Sequence, residues 1–402
     1  PRRRDGTSLF VTIAGAVVGF SLLLLIRLLV RADARLGVSL GMALVALTLG
    51  WNNSASADAR FLTMSMALAV GAGAKAFLAG RRVGISYAPL LWWTLFNSLI
   101  IVASLYASAS GIAWYLQFAA LSLIVAWAAQ SFLVTDVHAF FCSVVILGLG
   151  QTILAIAEVT FLGAPVLWGY GLQADGSTLL LSNPFLPGTV RAQGTMGHPL
   201  PFAMLVAVGL VYAITTSRPR PLPLHAAIIV ILGVGLILSG SRSVILGVAL
   251  ATFYGLLIAR RSSSRALRIL FALVGVAFVW LADFGIQTLT HNLLDSGSFE
   301  NRAGAIAAVP DLLTRPLLPV LFGSGYGAES RLFAAGYLQQ NGFGIVDNQL
   351  VTVLAMAGIL GVVVIGILLI RAWTRSDSRL RSVIVLLVVM LFSFDYFRWP
   401  PM

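Results

Sequence analysis

Long apolar stretches fill this chain almost from end to end, and long polar interruptions fall at only two places, residues 161–197 and 284–346. A bilayer core of roughly 30 Å takes about 20 apolar residues per helix. Unpaired backbone groups are too costly in lipid, so only helices or closed barrels can span it. The apolar runs are continuous rather than alternating, which predicts an all-α, polytopic transmembrane bundle and not a barrel.

Composition supports a membrane protein and excludes several other classes. Of the 402 residues, 59% are apolar and 10% charged, whereas a soluble domain carries roughly 25% charged residues. The 26 basic residues exceed the 14 acidic ones, for a net charge of +12. Most lie in short loops, which indicates membrane topology and not nucleic-acid binding. Cys142 is the single cysteine, so a disulfide within the chain and a zinc site built on several cysteines are excluded.

The pattern predicts about twelve spans and a large extracytoplasmic loop between the tenth and the eleventh. The chain divides into N-terminal helices (1–160), an outer loop with central helices (161–283), the large outer loop (284–345) and C-terminal helices (346–402). The predicted spans lie near 8–26, 37–51, 61–79, 88–107, 112–134, 138–158, 198–216, 224–240, 242–259, 266–283, 346–370 and 380–396.

Basic clusters set the predicted orientation, because short cytoplasmic loops are enriched in arginine and lysine. Four such clusters follow the third, seventh, ninth and eleventh spans, so both long polar loops are expected outside. The same frame puts the arginine-rich Pro1–Arg4 outside, which predicts either an upstream helix or a first span that is not a simple crossing. The clusters are Lys75 with Arg81 and Arg82; Arg218 with Arg220; Arg260, Arg261, Arg265 and Arg268; and Arg371, Arg375, Arg379 and Arg381.

Two arginines stand at predicted outer ends of spans, where the orientation rule does not explain them. Arg191 precedes the seventh span in a Gly- and Pro-rich segment, with His198 close by. Arg242 lies in Gly-Ser-Arg-Ser between apolar runs. A helix beginning at these serines would add its positive end to the charge of Arg242 and favour phosphate. The alternative is that both arginines reach to lipid headgroups and that His198 is a polar residue at a helix start.

The second outer loop contributes further candidates. Arg302 follows Glu300, which could simply pair with it, and Glu329 is a weaker candidate. Asp347 stands where the eleventh span begins. It could be an ordinary helix cap, and a carboxylate fixed there could also deprotonate an incoming hydroxyl. The neighbouring amides, on Asn348 and Gln349, could hydrogen-bond sugar hydroxyls.

Taken together, these motifs resemble the O-antigen ligase and O-antigen polymerase superfamily of membrane glycosyltransferases. The resemblance covers roughly the C-terminal half, while the N-terminal half is similar only in hydropathy. It rests on the order and spacing of Gly194–Ala203, Ser239–Ile245, Arg302 with the following Phe-Gly-Ser-Gly-Tyr-Gly, and Asp347 with Asn348 through Gly361.

The resemblance implies an enzyme of the bacterial cytoplasmic membrane that takes a glycan from an undecaprenyl-diphosphate carrier on the outer face. It implies that Arg191, Arg242 and Arg302 bind the diphosphate, without metal or other cofactor. The acceptor would be a hydroxyl of a glycan, lipid or protein. Ligases that act on lipid A core carry a His where this chain has Asp347, so Asp-Asn is more similar to the polymerases.

Two other classes stay open on the sequence alone. A transporter or flippase for lipid-linked glycans would also have about twelve spans, but it predicts ionisable residues at mid-membrane and a pseudo-symmetric repeat. Ionisable residues lie mostly at span ends here, with Glu158 and Asp283 the nearest exceptions. A non-catalytic scaffold would not need three outward arginines.

Overall fold

A computed structural model describes residues 5–50, 57–78, 88–106, 112–163, 180–216, 221–258, 297–340 and 344–396. The described part is all-helical, with one isolated antiparallel bridge between Ser182 and Val190. Its α-helices are α1 (Asp5–Leu29), α2 (Arg35–Gly50), α3 (Ala57–Gly73), α4 (Ala88–Tyr106), α5 (Ile112–Ala129), α6 (Val134–Ala157), α7 (Pro199–Thr215), α8 (Leu222–Ser239), α9 (Arg242–Ile258), α10 (Gly297–Ala307), α11 (Val309–Leu313), α12 (Leu317–Phe322), α13 (Glu329–Ala334), α14 (Gln349–Arg375) and α15 (Ser378–Met390).

Four of these helices are long and apolar enough to cross a membrane: α4, α6 with the π-helical turn that extends it to Leu162, α8 and α14. Six more of the described helices are apolar but shorter. Eleven of the predicted spans coincide with a helix, while the predicted tenth span and Pro1–Arg4 lie outside the described residues. The number of crossings therefore stays a prediction.

The surface of the long helices is apolar, as a lipid-facing surface must be. Ile146 of α6 is 68% exposed, Val230 of α8 62% and Val102 of α4 63%. Large exposed apolar faces of this kind are uncommon on soluble monomers. Polar side chains such as Gln151 and Thr152 of α6 are instead buried, which inverts the usual arrangement of a water-soluble bundle.

The largest core surrounds α7, whose side chains are buried on nearly every side. Helices α6, α8, α9 and α15 pack around it. A second core joins α1, α2, α3 and α5, and a third joins α4, α5 and α14. Since α15 belongs to the last segment of the chain and α6 to the first, the central core draws on distant parts of the sequence.

Helix α14 is interrupted at Gly358, where φ is 66° and ψ is −166°. A side chain there would place its Cβ 2.4 Å from the carbonyl carbon of Leu321, so only glycine fits. The interruption leaves carbonyl groups without helical partners. Ser324 N–H donates to the Ala355 carbonyl (2.9 Å) and Gly325 N–H to that of Met356 (3.0 Å). The glycine-rich segment between α12 and α13 therefore completes the hydrogen bonding of a broken helix.

Candidate functional site

The segment from Leu180 to His198 lies across the end of α8 and positions Arg191. The backbone N–H of Arg191 donates to Leu181 O (2.8 Å), and that of Ala192 donates to Leu238 O (2.9 Å). The side-chain amide of Asn183 donates to the carbonyl groups of Ile237 and Leu238, both at 3.0 Å. The bonds from Ala192 and Asn183 supply partners to carbonyls in the last turn of α8, where the helical hydrogen bonding ends.

The Arg191 guanidinium lies against the turn that joins α8 to α9. Its Nε donates to the carbonyl oxygen of Ser239 (2.7 Å), and its Nη2 donates to Oγ of Ser241 (2.9 Å). Gly240, between the two serines, has a φ of 62°, and a Cβ there would lie 3.0 Å from Cγ of Arg191. Glycine is therefore required both for the turn and for the close approach of the arginine.

Helix α9 begins at Arg242, directly after this turn. Ser239 Oγ accepts a hydrogen bond from the Ser241 N–H (3.1 Å) and donates to the Leu236 carbonyl (2.6 Å). The serines thus shape the turn, and the first, positive end of α9 lies beside Arg191. A helix does begin at this point, as predicted, while Ser239 stabilises the turn before it.

The three predicted arginines lie close enough for their charges to act on one another. Burial, and then the positive charges of Arg242 and Arg302, lower the pKa of Arg191 to about 10. The three residues come from an inter-helix segment, the start of α9 and α10, so this proximity is created by the fold. Like charges held together and partly desolvated favour an anionic partner.

Arg302 and Asp347 are brought together by a small polar network. Asn301 Nδ2 donates to Asp347 Oδ2 (3.1 Å), and Gln339 Nε2 donates both to Asn301 Oδ1 (2.8 Å) and to the Ile345 carbonyl (2.9 Å). Burial lowers the pKa of Arg302, and the charge of Asp347 partly offsets that change. Within the described part of the chain, neither Arg191 nor Arg302 has a carboxylate within 4 Å.

His198 is held as a neutral ring next to Arg191. Burial, and then the charge of Arg191, lower the pKa of His198 to about 4. Its Nδ1 accepts a hydrogen bond from the Leu200 N–H (3.2 Å) at the start of α7. The proton is therefore assigned to Nε2, which makes this nitrogen a neutral donor. The interpretation of His198 as a polar residue at a helix start is therefore confirmed, and its role in binding a substrate stays a prediction.

The two predicted amide ligands have structural roles instead. Asn348 is 1% exposed, and its Oδ1 caps α14 by accepting from the N–H groups of Leu350 (3.0 Å) and Val351 (3.1 Å). The expectation that Asp347 caps this helix is therefore wrong. Gln349 is also buried, and its Oε1 accepts from the Tyr396 N–H (2.6 Å). An amide buried in this way orders the backbone that carries Asp347.

Two structural supports of the site were missed by the sequence interpretation. The buried Glu158 accepts a hydrogen bond from the Gly194 N–H at 3.0 Å, which fixes the segment between Arg191 and His198. Arg315 is 5% exposed and donates to carbonyl groups of Leu312 (2.7 Å) and Leu354 (3.1 Å). A charged residue before a proline in an apolar loop is the one local signal that could have identified Arg315.

The remaining candidates can be placed more briefly. Glu329 is buried at the first position of α13, and its predicted role stays a prediction. No group of three or more His, Cys, Asp and Glu side chains among the described residues is arranged to hold a metal ion. A scan of protein-family models finds no match to this chain, and a search of curated proteins finds none either.

Proposed function

We propose that this protein is an inverting membrane glycosyltransferase that moves a glycan from a polyprenyl-diphosphate carrier to a hydroxyl acceptor. The observation that supports the proposal is the convergence of Arg191, Arg242 and Arg302 beside the positive start of α9. Arginine binds phosphate oxygens in pairs through its planar fork. A cluster of three suits a diphosphate better than a single phosphate, and neutral His198 adds a hydrogen-bond donor.

In this mechanism the acceptor oxygen attacks the anomeric carbon from the face opposite the diphosphate. The bond between that carbon and the diphosphate oxygen breaks, and the leaving group takes the electron pair. The arginines stabilise the charge that develops there, and each charge-assisted hydrogen bond contributes on the order of 1.5–3 kcal/mol. Asp347 accepts the acceptor proton, since its Oδ2 is already oriented by Asn301.

The acceptor class follows from the same site. Polymerisation of repeat units is the first candidate, and ligation to a lipid or protein hydroxyl is the second. The reason is that Asp347 stands just before α14, where ligases that act on lipid A core carry a histidine. We place the enzyme in the bacterial cytoplasmic membrane, with about twelve spans and the arginines facing outward.

A flippase for lipid-linked glycans stays the alternative function. That function predicts that the lipid-linked glycan moves across the membrane of vesicles while no new glycosidic bond forms.

The proposal is tested with purified protein, an undecaprenyl-diphosphate glycan and an acceptor glycan, in the presence of a chelator. We expect product from the native protein and a loss in kcat of about 100-fold in Arg242→Gln. Arg331→Gln is the matched control, because Arg331 lies in the same loop as Arg302 but its side chain is exposed. Full activity of Arg242→Gln, or a strict need for a divalent metal, overturns the mechanism.

A further inference from the structure

A second site lies at the opposite end of the bundle from the arginine cluster. A cavity of about 520 Å³ is bounded by the start of α4, the end of α5 and the end of α14. The other ends of the same three helices adjoin the outer loop: Tyr326 N–H donates to Ser104 Oγ of α4 (2.8 Å), and its ring packs on Tyr115 of α5. The two sites are therefore separated by the length of these helices.

The walls of the cavity are apolar and its rim is basic. Leu90, Trp93, Ile365 and Leu368 contribute the apolar part, while Arg371 and Arg375 lie along the last turns of α14. The volume is within the range of about 300–1,000 Å³ that is usual for ligand sites. An apolar slot beside two cations on a membrane-embedded surface is complementary to a molecule with an alkyl chain and an anionic head.

An unsatisfied amide in the wall provides an independent sign of a ligand. Gln130, which follows α5, lines the cavity. Its Oε1 and Nε2 atoms are both shielded from solvent, and neither has a hydrogen-bond partner in the described part of the chain. A buried amide without partners is costly. A ligand with ester or phosphate oxygens and a hydroxyl headgroup would satisfy both atoms.

We propose that this cavity binds one anionic glycerophospholipid from the surrounding leaflet. The acyl chain lies between α4, α5 and α14, the phosphate contacts Arg371 and Arg375, and the polar backbone of the lipid hydrogen-bonds Gln130. The site is on the side that carries the basic clusters after the third and eleventh predicted spans. Anionic lipids are attracted to such clusters near the membrane surface. A bound lipid would fix the end of α14 opposite Asp347.

The test is native mass spectrometry of the full chain released from micelles, titrated with phosphatidylglycerol or with phosphatidylcholine of the same chain length. We expect one phosphatidylglycerol bound at least tenfold more tightly than phosphatidylcholine, and loss of this preference in Arg371→Gln/Arg375→Gln. Arg31→Gln is the control, because the Arg31 side chain is 88% exposed. Arg31 precedes α2, whose first residues bond to Asp136 near the start of α6, so it lies at the same end of the bundle as Gln130. It should retain native binding.

A second variant distinguishes binding in the cavity from general attraction of lipid to surface charge. Gln130→Leu removes the unsatisfied amide, so it should unfold at a higher temperature than the native protein without lipid and gain less from added phosphatidylglycerol. Equal binding of the two lipids, an unchanged preference in the double variant, or equal binding of glycerophosphoglycerol without acyl chains overturns the proposal. None of these outcomes bears on glycosyl transfer.

Discussion

The planar shape of the Arg191 guanidinium matters to its contacts as well as its charge. Its guanidinium contacts the Ser239 carbonyl and the Ser241 hydroxyl together, at 2.7 and 2.9 Å. A lysine keeps the charge but has one nitrogen, and it cannot make both contacts while it faces an anion. We therefore expect Arg191→Lys to lower kcat/KM at least tenfold in the transfer assay. Arg331→Lys should leave it unchanged, and a fully active Arg191→Lys would show that charge alone is sufficient.

His198 gives the site a defined response to pH. Its pKa of about 4 in the folded protein lies below its ordinary value of 6.5, so folding favours the neutral ring. This contribution to stability is fully present above pH 6.5 and is lost as the pH falls towards 4. Between pH 7.5 and 5, thermal unfolding should show a loss of up to about 2 kcal/mol from this residue.

The matched variant for this experiment is His198→Asn, which keeps a side-chain acceptor at the start of α7. It should lose less stability than the native protein over the same pH interval. An identical loss in both proteins would mean that His198 is not the group that titrates.

The residues of the site could be predicted only in part from the sequence. The sequence identifies the three arginines because a charge next to apolar runs is costly. Only the fold brings them close together. Asp347 and Asn348 are both good helix caps, so local preference could not decide between them. Arg315 was missed because its partners, the Ser324 hydroxyl and backbone carbonyls near a helix break, depend on the fold, and the proline after it was the only local signal.

At the scale of single elements, the break in α14 is the most informative. The eleventh predicted span is correct as a helix, but its hydropathy gave no sign that Gly358 interrupts it. The sequence singles out the glycine-rich segment before α13 only as one of the motifs that resemble the ligase and polymerase superfamily. In the structure its backbone instead pairs with Ala355 and Met356. Such long-range pairing depends on which loop meets which helix, and this is a property of the fold.

The break allows a direct test within one helix. Gly358→Ala forces a side chain into a backbone conformation almost exclusive to glycine and against the Leu321 carbonyl. It should lower the free energy of unfolding by at least about 3 kcal/mol. Gly366→Ala is the control, since a Cβ there meets nothing within 4 Å, and it should be neutral or stabilising by about 0.5–1 kcal/mol. Thermal unfolding in detergent measures both, and equal effects would refute the break.

At the scale of the whole molecule, the two ends of the bundle should face opposite sides of the membrane. Leu180 is exposed near Arg191, and Thr374 is exposed near the end of α14. With Cys142 replaced by Ala, Leu180→Cys in intact cells should react with a membrane-impermeant maleimide. Thr374→Cys should react only after the membrane is permeabilised. Labelling of both sites in intact cells would contradict the proposed orientation.

The interruption at Gly358 also ties α14 to two parts of the molecule at once. Its first turns are hydrogen-bonded to the loop through Ser324, Gly325 and Arg315, and residues on both sides of the break pack in the core that holds α4 and α5. Asp347, just before these turns, accepts a hydrogen bond from Asn301 of α10. A change in the loop would therefore reach the carboxylate and the helix bundle together.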